Sequence, residues 1–198
     1  MGKLYIIIIT HTLGIGIPKV MNNIGLMKLK VVKEVSLFEA QFTRNLICAG
    51  RYEDKIILVY PEKLFDLLDE KVSPLEQVIV KTFPQSEVVI LGLNSTVSLY
   101  GFSIINNGER QRIKCGADGD VYVDFGKELP EEAAIKKEQI FGVEETKEMQ
   151  EGYDDEMIKK IIDNEVGIRV TSRLLQRFFG EEVGTAFNKI RLIEYAHE

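Results

Sequence analysis

The chain has 198 residues, 45% of them apolar and 28% charged, with a formal net charge of −6. That length and apolar share suffice for one buried core, while the acidic balance excludes broad nucleic-acid binding, which needs a basic footprint. Two cysteines without metal-ligand spacing exclude a zinc site, and Cys48 and Cys115 read as reduced core residues of a cytosolic protein.

Lys3 and the apolar run 4–9 imitate the start of a signal peptide. Thr10-His11-Thr12 interrupts the run and no A-x-A site follows, so it reads as a strand rather than a leader. It is also far shorter than the roughly 20 residues of a membrane span, so no membrane contact is expected. Ile6 stands where a myristoylation signal needs Ser or Thr. An unbroken β-branched run of this length suits a strand buried on both faces. Thr10 to Gly16 then form a loop, and Pro18 opens a short helix ending near Asn23. A glycine loop between strand and helix can wrap phosphate with backbone N–H groups. Here the pattern stops at Gly14-x-Gly16, and no Gly-Lys-Ser/Thr follows. His11, Gly14, Gly16 and Lys19 are the candidate ligand-binding residues of this loop, with plain turn chemistry as the other reading.

Residues 28–37 alternate as a half-buried strand. Ser36 and Glu39 fit a capping box for a short helix to Phe42, or the strand continues. Runs 46–49 and 55–60 read as a hairpin at the centre of a sheet. Helical spacing follows over 62–70. Ser73-Pro74 with Glu76 marks the start of a second helix, which Pro84 ends. Residues 87–93 return to the sheet.

Residues 95–130 predict three antiparallel strands. Asn107-Gly108 is a two-residue hairpin turn, which pairs Ile105 with Arg110, Phe102 with Ile113 and Tyr100 with Cys115. The second turn, at Ala117-Asp118-Gly119, admits two, three or four residues. Three residues keep Val121, Val123 and Phe125 on the apolar side, opposite Cys115, Ile113 and Gln111. In that register the outer face carries Arg110, Arg112 and Lys114 beside Asp120, Tyr122 and Asp124. Those six residues are the candidate interaction surface, weighed against a solvated sheet face.

After Pro130 the composition turns acidic, and residues 131–156 read as a surface helix or a mobile connector. Asp154 caps a helix to Asn164, a second helix runs 171–179 to the C-cap Gly180, and 189–195 forms a last edge strand. The expected fold is α+β: one mostly antiparallel sheet that includes the meander 97–125, with helices packed on one face. The expected organisation is a single domain, 1–198, with an acidic connector at 131–156 and a C-terminal helical appendage at 157–198.

Several short motifs recur together in one known family. They are Ala49-Gly50, Ser95-x-Val97 before Tyr100-Gly101-Phe102, Asn107-Gly108 with Arg110, Gly126-x-x-Leu129-Pro130-x-Glu132, and Phe178-Phe179-Gly180. In these pieces, within residues 46–180, the chain resembles a family of uncharacterised bacterial proteins, a domain of unknown function. It departs from that family over its first 40 residues, in Asn94 where the family pattern has His, and in lacking Trp. The resemblance implies a shared fold and no activity.

No nucleophile–base signature is present, since His11 and His197 are the only histidines. Asp120 and Asp124 lie about 13 Å apart by strand rise, too far to share one ion. No metal or cofactor is expected. Two function classes follow. One is a non-catalytic cytosolic binding or regulatory protein that meets a protein partner or a second copy through the meander face or the acidic segment. The other is a small-molecule or phosphate-ligand enzyme with its site at the loop after the first strand.

Overall fold

The computed structural model describes residues 3–43, 46–180 and 183–197, and among them nine strands form one antiparallel sheet. In chain order the elements are β1 (Lys3–Ile9), α1 (Ile17–Asn23), β2 (Leu29–Ser36), α2 (Leu37–Ala40), β3 (Ile47–Tyr52), β4 (Lys55–Val59), α3 (Leu64–Leu67), α4 (Pro74–Thr82), β5 (Val88–Asn94), β6 (Leu99–Asn106), β7 (Glu109–Ala117), β8 (Asp120–Gly126), α5 (Pro130–Ile135), α6 (Val143–Gly152), α7 (Asp155–Phe179), α8 (Val183–Lys189) and β9 (Arg191–His197). The strand order is β2-β9-β3-β4-β1-β5-β6-β7-β8. The expected α+β class and antiparallel meander are both present.

The helices cover both faces rather than one. β1 explains why, because its Leu4, Ile6 and Ile8 point into one core and Ile7 and Ile9 into the other. A strand that is apolar on both sides needs a layer on each. On the first face α7 supplies Val166, Val170, Leu174 and Phe178, with α2, α5 and α8 beside it. On the second, α1, α3 and α4 supply Val20, Leu64, Leu67 and Ile79. Gly92 and Gly101 sit directly opposite each other on β5 and β6. The missing side chains leave a dimple that Leu64 and Leu68 fill, and a Cβ at Gly101 would lie 2.5 Å from a Leu68 methyl.

The local end signals act as their chemistry dictates. The Ser36 hydroxyl accepts from the Glu39 N–H at 3.1 Å, while the Ser36 N–H donates to Glu39 Oε2 at 2.7 Å. The Ser73 hydroxyl caps α4 by accepting from the Glu76 N–H at 3.1 Å, without a return bond from the Glu76 side chain, and Gly180 ends α7 with φ +69°.

Two bulges displace the meander from its expected register. Both of its turns have two residues with positive φ, Asn107-Gly108 and Asp118-Gly119. Ile105 faces Arg110 as expected, but Ile104 faces Arg112, so Gln111 is an extra residue in β7. Phe102 therefore faces Lys114, and Tyr100 faces Gly116. A second extra residue, Tyr122, shifts β8, which pairs Cys115 with Val123 and Ile113 with Phe125. A bulge moves every later side chain to the opposite face. Arg112 and Lys114 thus lie on the face that holds Tyr100 and Phe102, under the first helix layer, while Arg110 emerges on the other face.

The C-terminal segment is not an appendage. Residues 155–179 form one continuous helix where two were expected, and the helix packs across β5, β6 and β7. β9 is not an edge strand but lies between β2 and β3.

Candidate functional site

The loop after β1 is held from below by Arg51. Its guanidinium donates to the Thr12 hydroxyl at 3.1 Å, to the Thr12 carbonyl at 3.0 Å and to the Ile15 carbonyl. The Thr12 N–H and hydroxyl both donate to the Asp54 carbonyl, at 2.9 and 2.7 Å. A phosphate cradle turns N–H groups inward. Here carbonyl oxygens turn inward and meet a cation. Gly14, with φ +81°, and Lys19 are exposed, and Gly16 precedes a helix of only seven residues. His11 is exposed, with Nδ1 3.7 Å from Asp54 Oδ2. Burial opposes the Asp54 charge, but Lys55 beside it keeps that carboxyl below its ordinary pKa. These contacts make the loop a staple between β1 and the β3–β4 hairpin.

The six meander residues divide among three environments. Arg112 is buried and forms a two-pronged pair with Glu132, at 2.8 and 2.7 Å. It also reaches Asp124 at 2.5 Å and the Phe125 carbonyl at 3.0 Å, and its guanidinium lies 6.0 Å from the Phe102 ring centre. Burial opposes its charge, but the Glu132 and Asp124 carboxylates outweigh that and hold its pKa above the ordinary value. Lys114 is equally buried, 3.7 Å from Asp124. On the other face Arg110 pairs with the buried Glu76 and donates to the Asp69 carbonyl at 2.7 Å. Only Asp120, Tyr122 and Asp124 remain exposed, on the edge strand β8. The expected surface is therefore mostly interior, covered by the chain's own helices. Its arginines clamp α5 and α4 onto the sheet.

Both cysteines are buried, and burial pushes each thiol up to about 11. A thiol so far above neutral pH stays protonated and is a poor nucleophile. Cys48 and Cys115 are expected to react with a thiol reagent at pH 8 only after denaturant is added. Rapid labelling of the native protein would show the packing over them to be loose.

An open concavity lies on the acidic segment that the sequence marks as a surface helix or connector. Arg169 donates to the Ile140 carbonyl at 2.9 Å, and Arg173 pairs with Glu138 at 2.5 Å, which fixes the approach to α6 against α7. Glu145 then caps α6 by accepting from the Gly142 N–H at 2.8 Å. The result is a groove of about 540 Å³ lined by Phe141, Glu145, Glu148, Met149, Gly152 and Tyr153. A smaller cleft of about 300 Å³ adjoins it at Phe141 and runs past Met157 and Lys160 to the Asp118-Gly119 turn. Tyr153 and Met157 are about half exposed. Residues 138–156 carry eight carboxylates against Lys147 alone. Chemically this is an apolar floor with an anionic rim, suited to an amphipathic cation. The apolar floor does not show as a helical stripe in the sequence, because Phe141 and Tyr153 lie outside the two ends of α6 and only Met149 lies within it.

Among the described residues no cluster of three or more His, Cys, Asp and Glu is placed to hold a metal ion, and no helix is long and apolar enough to cross a membrane. Comparisons with known protein families, with curated proteins and with solved structures found no match to this chain.

Proposed function

We propose that this chain is a non-catalytic binding protein of the cytosol that holds a basic, apolar segment of a protein partner in the groove beside α6. The observation that carries this reading is the groove itself: exposed Tyr153 with half-buried Phe141 and Met149 beside Glu145 and Glu148, on the most acidic stretch of the sequence. Apolar surface that is left open and rimmed by one sign of charge is the usual form of a contact site. The protonated thiols and the carbonyl-lined loop after β1 favour binding over catalysis. We assign the resemblance within residues 46–180 to a shared fold with the bacterial family, with no activity implied.

The test is fluorescence anisotropy with a labelled peptide of alternating Leu and Lys, against its Leu and Glu counterpart. The basic peptide should bind, and more weakly as salt rises, because rim charges are screened. Glu148→Lys, which reverses a charge lining the groove, with Glu151→Lys, its exposed neighbour about one turn further along α6, should weaken it about tenfold or more. Equal affinity for both peptides, or none for either, overturns the reading.

A further inference from the structure

We propose that the partner held by the groove is a second copy of this chain, docking through the free edge of β2; this rests on the reading of the groove given above. Residues 26–33 contain Lys28, Lys30 and Lys33 and no carboxylate. Around these cations Met27 is 64% exposed, Val31 59% and Val32 49%. Among the described residues β2 is bonded to β9 alone and ends the sheet. Directly after it, Phe38 and Phe42 stand exposed on and beside α2, edge to face at 5.3 Å. The edge therefore has what the groove lacks, positive charge around protruding apolar side chains.

Pairing of two β2 edges with each other is opposed twice. Lys30 and Lys33 would meet like charges, and the extra residue Val32 breaks the ladder. A surface of opposite charge is needed, and the groove offers one. Within a single molecule the two cannot meet, because α7, on which α6 rests, crosses β5, β6 and β7, toward the far end of the sheet from β2. The contact is head to tail, so it closes as a ring or extends as a filament.

The experiment is light scattering on size-separated protein over a range of concentrations, at roughly 0.05 and 0.5 M salt. The wild-type mass should exceed one chain at low salt and fall at high salt. Lys28→Glu with Lys30→Glu, and separately Glu148→Lys with Glu151→Lys, should each give single chains. Mixing the two variants should restore association, because each supplies the charge the other has lost. Lys33 is left alone because it stands opposite the buried Glu194, and Glu145 because it caps α6. Should a variant fail to fold, a synthetic peptide of residues 26–33 should dissociate the wild-type assembly. A wild-type protein that stays a single chain while still binding the Leu and Lys peptide overturns the second-copy inference and leaves the groove reading standing. Association that both variants retain overturns the choice of surfaces, and loss of both peptide binding and association overturns both proposals.

Discussion

Replacing Gly167 by alanine is expected to destabilise the protein by about 2 kcal/mol or more. In the middle of a helix the opposite sign is the default, since Ala is favoured over Gly by roughly 1 kcal/mol. Here α7 passes directly over the ring of Tyr100, and a Cβ at Gly167 would overlap its Cδ2 and Cε2 atoms. The ring has little room to retreat, because it is fully buried and its hydroxyl end already fills the space left by the missing side chain of Gly116 on the neighbouring strand. Overpacking of this kind costs up to roughly 3 kcal/mol and occasionally more, so it outweighs the propensity gain. Burial, with Asp163 nearby, raises the Tyr100 pKa and keeps the hydroxyl protonated; it has no hydrogen-bond partner among the described residues. Urea melts check the prediction. Gly152→Ala, where the added methyl meets open space, should change stability by no more than about 1 kcal/mol. In a Tyr100→Ala background most of the Gly167→Ala cost should vanish, as coupling between touching residues requires. Full additivity would mean that the overlap is not the cause.

Gly167 also shows where the sequence is legible and where it is not. The two ends of α7 are written locally, in the Asp154 cap and in Gly180, and both act as read. The middle is not, because a glycine followed by β-branched residues looks like a break until Tyr100 is placed beneath it. β1 is equally legible, since an unbroken β-branched run has few alternatives to a strand buried on both sides. The place of β9 is not, because joining β2 to β3 depends on contacts with residues far away in the chain.

The meander makes the same division inside one motif. Asn107-Gly108 specifies its turn through the positive φ of both residues, and the turn forms. Hydrophobic alternation then argues for one apolar and one charged face. That rule assumes one residue per step on every strand, and Gln111 and Tyr122 break it. The three cations of β7 therefore lie on the expected strand but in a buried environment, while Asp120, Tyr122 and Asp124 on β8 stay exposed. The groove by α6 was legible only as an acidic stretch that could meet a partner, because its depth comes from how Phe141, Met149 and Tyr153 converge.

Removing the Glu132 carboxylate should be among the most damaging changes possible in this chain. Glu132→Ala is expected to cost about 3–5 kcal/mol, the loss typical when a buried pair keeps only one of its charges. Both partners are almost fully buried, Glu132 at 1% and Arg112 at 4% exposed. Glu132 also accepts from the Leu129 N–H at 2.9 Å, so its loss unties the start of α5 as well. Asp124 remains as a partner for Arg112, but its side chain is half exposed and cannot replace a two-pronged contact. The sequence, which reads Arg112 as part of an exposed face and Glu132 as part of an acidic surface segment, implies instead a loss of at most about 1 kcal/mol. Urea melts separate the two cleanly. The double variant Arg112→Met with Glu132→Leu should recover much of the stability lost by the single one, because no buried charge is then left alone. A Glu132→Ala protein as stable as wild type would mean that Arg112 reaches solvent and that α5 is not fixed to the sheet by this pair.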